Sequence, residues 1–268
     1  YINKFLNISS TKIVDGKTDE NPIHFKSDYS NYKDVMNNGR TIAKDVQAEG
    51  TVLMKNENNA LPMAKNSKVT FFGYNQVALG GTGSGGVTSS ADRKVDLKKA
   101  CEGKLSLNTT VYDFYQKNYD EKKGFKESSG WGGKTMNFRT INGINELNAD
   151  EFTDTEKNSF NDYSDAAIFV LTRIGGEGTD LTSDYLSLNE DEKSVLELMK
   201  NGPFKKRIVL VNTFNTPELG FLKDYNIDAC LYIGGPGEVG LDAVTDIMTG
   251  VTTPSGHLAD TYVTDVES

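Results

Sequence analysis

The stretch LTRIGGEGTD, at residues 171–180, places one carboxylate, Glu177, among three glycines. Glycine weakens regular structure and frees the backbone, whereas an ordinary turn needs only an Asn, an Asp or a single glycine. A protonated carboxyl within hydrogen-bond reach of a leaving oxygen acts as a general acid, and partial desolvation raises its pKa to suit that task. Glu177 is therefore a candidate general acid. The alternative interpretation is a solvated loop glutamate.

A second glycine-rich stretch, GGTGSGG at residues 80–86, contains the G-x-G-x-x-G spacing at Gly81, Gly83 and Gly86. In loops that bind dinucleotides this spacing begins directly at the end of a strand. Here the segment YNQVAL separates it from the preceding apolar run. The stretch is not followed by G-K-[ST] either, so it is not a P-loop. Nucleotide binding is an alternative function, and tight binding of NAD or ATP would identify it.

Composition narrows the classes of ligand. The net charge of −9 and the pI near 4.9 argue against nucleic acid, which needs a basic surface. His24 and His257 are the two histidines and have no cysteine partners, which argues against a zinc site, and we expect neither metal nor cofactor. Cys101 and Cys230 cannot form a disulfide framework. Cys230 lies in the apolar run ACLYI and is predicted to pack as a small hydrophobe.

The elements that must position Glu177 are indicated by continuous apolar runs of strand length. These runs are KVTFFG (68–73), DAAIFVLTRI (165–174), RIVLVNTF (207–214) and IDACLYIGG (227–235). Continuous rather than alternating apolar character is typical of parallel strands covered on both faces. Helical patterns lie near residues 30–49, 92–103, 187–199, 218–225 and 238–249. The third of these helices has Ser187 and Glu190 at capping-box spacing.

The alternation of strands and helices predicts an α/β fold, in which a mostly parallel sheet is flanked by helices on both faces. Residues 1–30 are predicted to form an extended lead-in and residues 31–268 one α/β domain. The pattern over residues 103–163 is weak. No apolar run approaches the roughly 18 residues that a membrane span needs.

Ligands of an open parallel sheet bind at the carboxyl ends of its strands. Four stretches are predicted at that edge: GGTGSGG, IGGEGTD, NTFNTPELG and IGGPGEVG. The alternative for each is an ordinary turn that contains glycine. Asp180 and Asp184 are expected by default to cap the turn that follows Glu177.

These stretches, in this order, resemble the α/β sandwich domain of glycoside hydrolase family 3, the β-glucosidases and related exo-acting enzymes. The matching segments are AEGTVLMKNENNALPM (48–63), GGTGSGGV (80–87), VLTRIGGEGTD (170–180) and IGGPGEVGLDAVTDIMTGVTTPSGHL (233–258). Together they cover residues from about 40 to 262.

The resemblance implies a retaining β-glycosidase that acts on terminal β-linked sugars. It implies an aspartate nucleophile on a separate TIM barrel and an acid/base glutamate between the glycines, here Glu177. Arg173 is implied to orient this loop. The residues implied to contact the substrate or line the outer pocket are Gly81, Thr82, Gly83, Ser84, Arg173, Asp180 and Trp131. Trp131 would either stack on a sugar ring or pack locally. Leu181 departs from the family pattern, because many members have arginine at this position.

A TIM barrel needs about 250 residues, which this chain does not supply, so we expect the domain to be inactive alone. Some members place the sandwich before the barrel and carry an N-terminal membrane anchor, an arrangement that would put the domain outside the cytoplasm. A homodimer is a further expectation. The alternative function is a non-catalytic carbohydrate-binding or assembly domain of a degenerate family member.

Overall fold

The structure is a computed structural model that describes residues 13–14, 17–18, 28–79, 94–121, 123, 128–129, 135–136, 146–173 and 182–265. The chain forms two compact units, Tyr1–Ile42 and Ala43–Ser268. Their division lies inside helix α1, Tyr32–Gly50, whereas the predicted boundary after residue 30 lies just before this helix. In the first unit, β1 (Ile13–Val14) and β2 (Lys17–Thr18) pair in antiparallel orientation.

The second unit is built on a six-stranded sheet with the order β3-β10-β9-β8-β4-β5. The strands after β2 are β3 (Val52–Asn56), β4 (Ser67–Phe72), β5 (Leu105–Leu107), β6 (Ser128–Ser129), β7 (Thr135–Met136), β8 (Ala166–Arg173), β9 (Arg207–Thr213) and β10 (Ala229–Tyr232). Every neighbouring pair in the sheet is parallel except β3 with β10, which is antiparallel. Strands β6 and β7 pair with each other in antiparallel orientation.

Helices cover both faces of this sheet. The helices after α1 are α2 (Leu97–Cys101), α3 (Thr109–Asp120), α4 (Asp154–Asp162), α5 (Ser183–Leu186), α6 (Glu190–Asn201), α7 (Phe221–Asp224) and α8 (Gly240–Met248). On one face, Ile168 and Val170 of β8 pack in a cluster with α2 and α8. On the other, Phe169 and Leu171 pack with side chains of α3, α4, α6 and α7. The predicted mostly parallel α/β fold is confirmed, and the double coverage explains why the strands are continuously apolar.

The region with a weak sequence pattern contains regular structure that the pattern did not predict. Strand β5 and helices α3 and α4 all lie within residues 103–163. Helix α3 buries Tyr112, Tyr115 and Asn118 besides Val111, so its inner face lacks the aliphatic stripe on which helix prediction depends.

Two predicted caps are corrected. Helix α6 is capped by Asn189, whose side-chain oxygen accepts the backbone N–H of Glu192 at 2.8 Å, and not by Ser187. Both Ser187–Glu190 and Asn189–Glu192 have capping-box spacing, but only Glu192 is buried, whereas the Glu190 side chain is 87% exposed. Asp184 is not the N-cap of α5, because the helix begins at Ser183 after Thr182 and Asp184 lies within its first turn.

Helix α7 is also shorter than the predicted 218–225. No helix in the described ranges combines the length and the apolar character that crossing a bilayer requires.

Candidate functional site

The ends of β4, β8, β9 and β10 meet at one edge of the sheet because these strands are parallel. Strand β8 lies between β4 and β9. The segments that follow β4 and β8, which contain GGTGSGG and Glu177, therefore begin on neighbouring strands. Arg173 is the predicted site residue that the structure describes. The others lie outside the described residues: Glu177, Gly81, Thr82, Gly83, Ser84, Asp180 and Trp131.

Arg173, the last residue of β8, is fully buried. Its guanidinium pairs with Glu192 through two parallel bonds, 2.7 Å from Nη1 to Oε1 and 3.0 Å from Nη2 to Oε2. Nε donates to the carbonyl of Tyr185 at 2.6 Å, and Nη2 donates to that of Ser187 at 2.7 Å. Nη1 also donates to the carbonyl of Thr172 at 2.9 Å.

These contacts connect the two ends of segment 174–181. Thr172 precedes this segment, whereas Tyr185 and Ser187 follow it. An arginine side chain has five N–H donors, and the five bonds of Arg173 use that capacity inside the protein. No donor of Arg173 is left for a sugar hydroxyl. Glu192 was not among the predicted site residues.

A second carboxyl, that of the half-buried Glu146, lies at the end of β4. Its oxygens accept the N–H groups of Tyr74 at 2.9 Å and Leu147 at 2.8 Å, and the hydroxyl of Tyr115 at 3.1 Å. The same Tyr115 oxygen accepts the N–H of Gly73 at 3.2 Å. Burial raises the pKa of the Glu146 carboxyl to about 8, and these hydrogen bonds oppose the shift only in part. Glu146 thus fixes the turn through which the chain leaves β4.

This raised pKa predicts a pH-dependent stability. Between its ordinary pKa of 4.5 and about 8, Glu146 holds a proton when folded that it releases on unfolding. The stabilising effect is complete below pH 4.5 and is lost as the pH rises through 8. The residue keeps some exposed surface, so we expect a contribution of about 2 kcal/mol, less than the full shift corresponds to.

Urea unfolding of the wild type and of Glu146→Gln at pH 5 and pH 8.5 measures this effect. The difference in free energy of unfolding between the two proteins should change by the stated amount between the two pH values. Asp150→Asn, at an exposed position in the same segment, serves as the control and should show no such change. A pH-independent difference for Glu146→Gln would contradict the prediction.

Hydrogen bonds also link the ends of β8, β9 and β10. The Thr172 hydroxyl donates to Oδ1 of Asn212 at 3.2 Å, and Nδ2 of Asn212 donates to the carbonyl of Gly234 at 2.5 Å. Nε2 of Gln47 donates to the carbonyl of Ile233 at 3.0 Å. The edge from which the candidate loops extend is therefore fixed by side chains as well as by the sheet.

A cavity of 390 Å³ opens beside the end of β9. It is lined by Leu186, Phe214, Asn215, Thr216, Asp260 and Thr261. Phe214 is 59% exposed. An exposed ring beside amide, hydroxyl and carboxylate groups can stack on an apolar face of a ligand and hydrogen-bond to its polar groups.

The cysteines offer no nucleophile at this edge. Cys101 and Cys230 are free and buried, and burial raises the pKa of each thiol to about 12. A thiol with so high a pKa is unreactive at neutral pH. Cys230 packs within the core as predicted. Over the part of the chain that the structure describes, no three His, Cys, Asp or Glu side chains come together as a metal site.

Fold and edge together define an α/β sandwich domain whose candidate chemistry is carried by loops at the carboxyl ends of its strands. Residues 51–268 match the model of the glycosyl hydrolase family 3 C-terminal domain, and the chain belongs to this family. The resemblance seen in the sequence is therefore confirmed.

Several related proteins align with most of this chain. It is 31% identical over 229 residues to a β-glucosidase of Ruminococcus albus, a match that covers 84% of this chain and 23% of that protein. The solved structure of β-glucosidase 3B from Thermotoga neapolitana in complex with glucose is 26% identical, with a TM-score of 0.71, over 88% of this chain and 32% of that one. A β-glucosidase structure from Paenibacillus barengoltzii is 25% identical, with a TM-score of 0.72, over 85% of this chain and 24% of that one. The chain thus spans about a quarter to a third of these relatives.

Proposed function

We propose that this chain is the acid/base-bearing domain of a retaining, exo-acting β-glycosidase that hydrolyses terminal β-linked sugars. In this proposal a TIM-barrel domain supplies the aspartate nucleophile. The observation that carries it is the arrangement of Arg173, whose guanidinium ties together the two ends of the segment that contains Glu177. Relatives named β-glucosidase support the class of reaction.

In the first step, the Glu177 carboxyl donates its proton to the glycosidic oxygen while the aspartate attacks the anomeric carbon. The C–O bond breaks, the alcohol leaves and a covalent glycosyl ester forms. In the second step, the Glu177 carboxylate takes a proton from water, which attacks the same carbon and releases the aspartate. Two displacements retain the anomeric configuration, and they require the two carboxyls to lie about 5–5.5 Å apart.

This spacing gives the sandwich domain a positional task. Because the two carboxyls belong to different domains in the proposal, the docking of the domains and the course of segment 174–181 together set their distance. Gly81, Thr82, Gly83, Ser84, Asp180 and Trp131 are proposed to contact the sugar or line the outer pocket. Arg173 is proposed to act on the loop and not on the sugar, since its donors are used internally.

The stereochemistry of the reaction tests the proposal. We expect the full-length protein to hydrolyse an aryl β-glucoside or cellobiose and to release β-glucose first, as followed by proton NMR before the anomers equilibrate. The present chain alone should give no turnover, because it lacks the nucleophile. Initial release of the α anomer, or undiminished turnover by this chain alone, would contradict the mechanism.

The cavity at Phe214 favours a second candidate function, a non-catalytic carbohydrate-binding domain. An exposed aromatic ring with polar neighbours is suited to holding a sugar without cleaving it. Calorimetry distinguishes the two functions. Saturable glucose or cellobiose binding by a full-length protein without hydrolase activity would favour the second, and weakened binding by Phe214→Ala would locate it.

A further inference from the structure

The ion pair between Arg173 and Glu192 connects the end of β8 to the first turn of α6. Its side chains are 0% and 3% exposed. Both charges must be removed from water to form such a pair, and apolar residues of similar volume often stabilise a protein as well or better. Overall stability is therefore a weak explanation for this pair, and its contacts point to a local task.

Glu192 is held in place from several sides. Its Oε2 accepts the N–H of Asn189 at 3.0 Å, and the Asn189 side chain accepts the N–H of Glu192 at 2.8 Å. The helix itself is anchored in the core by Val195, Leu196 and Met199, which are fully buried. These contacts hold the Glu192 carboxylate in place relative to α6.

The guanidinium of Arg173 connects the Glu192 carboxylate to the main chain. Its remaining bonds go to the carbonyls of Thr172, before segment 174–181, and of Tyr185 and Ser187, after it. Without the carboxylate, Nη1 and Nη2 each lose an acceptor, and the guanidinium is no longer oriented from the side of α6.

We propose that Glu192 is a positioning residue for the proton donor at 177. It orients Arg173, which in turn holds both ends of the segment that carries Glu177. This inference rests on the proposed function, because it assigns Glu192 a part in the acid catalysis by Glu177.

The test compares Glu192→Gln with Glu190→Gln in the full-length protein. Both substitutions remove one charge from the first turn of α6, but the Glu190 side chain is 87% exposed. Each variant is assayed on a 2,4-dinitrophenyl β-glycoside, whose leaving group needs no proton, and on an alkyl β-glycoside of the same sugar, whose leaving group does.

For Glu192→Gln we expect kcat/KM on the alkyl glycoside to fall by about 10- to 100-fold, because a small misplacement of a catalytic group has this effect. On the dinitrophenyl glycoside it should fall by less than about 3-fold, since that leaving group departs without acid catalysis. Glu190→Gln should stay close to the wild type on both. General destabilisation of the protein would lower kcat/KM on both substrates alike. That result, or no loss of kcat/KM on either substrate, would overturn the inference.

A second variant guards against misfolding. Arg173→Met/Glu192→Leu leaves no unpaired charge and is expected to fold, yet it should show the same selective loss on the alkyl glycoside. Equal activity of this double variant and the wild type would also overturn the inference.

Glu177→Ala separates the two proposals. If it does not discriminate between the substrates, the proposed function fails. If it discriminates and the Glu192 variants do not, only the role of Glu192 fails.

Discussion

Replacing Glu177 by alanine in the full-length protein is expected to lower kcat/KM for an alkyl β-glycoside by about 10²- to 10⁴-fold, the usual contribution of general acid catalysis. The dinitrophenyl glycoside should keep much of its kcat/KM, because its leaving group is stable as an anion. Its kcat should still fall, since hydrolysis of the glycosyl ester lacks a general base. Steady-state kinetics on the two substrates measure this separation.

Azide provides an internal check on that experiment. Azide is a nucleophile that needs no base, so it should attack the glycosyl ester in Glu177→Ala, raise kcat on the dinitrophenyl glycoside and give a β-glycosyl azide. The wild type, which has its base, should gain little. Equal turnover by wild type and variant on the alkyl glycoside would remove Glu177 from the mechanism.

Arg173→Met is expected to destabilise the domain by about 3–5 kcal/mol, because it leaves Glu192 as an unpaired carboxylate in the core. The carbonyls of Tyr185 and Ser187 lose their donor in the same variant. Arg173→Met/Glu192→Leu should recover most of this loss, since the stranded charge is gone. Urea unfolding monitored by circular dichroism gives the free energies.

Lys193→Met is the matched control for this series. Lys193 pairs with Glu190 on the same helix at 2.8 Å, but the two side chains are 46% and 87% exposed. A pair so accessible to water is expected to contribute less than about 1 kcal/mol. If Arg173→Met lowered the free energy of unfolding no more than Lys193→Met does, the prediction for the buried pair would be contradicted.

The strands of the sheet were predictable because burial on both faces demands continuous apolar sequence, as in Ala166–Arg173. Helix α3 was not predictable in the same way. Its buried face is made of Tyr112, Tyr115 and Asn118, whose polar groups hide the periodicity. Such residues are equally compatible with a loop. Only the packing of the folded chain distinguishes a helix from a loop here.

The candidate site shows a similar limit. The glycine cluster around Glu177 can be recognised from the sequence, because it is a local feature that does not depend on tertiary contacts. Glu192 acts through Arg173, nineteen positions away, and no local pattern reports such a pair. Its one local signal, the capping-box spacing from Asn189, was shared by Ser187 and Glu190. The choice between the two pairs depends on burial, which is a property of the fold.

The antiparallel contact between β3 and β10 has a consequence for how the chain acquires its structure. The first strand of the sheet pairs with the last, from Val52↔Tyr232 to Asn56↔Ala229. A ribosome therefore releases β3 long before it makes the partner of β3, and sheet closure joins distant parts of the chain, which slows folding. We expect C-terminal truncations before residue 229 to leave β3 without its strand partner. Nascent chains of this length should depend on chaperones until synthesis has passed β10.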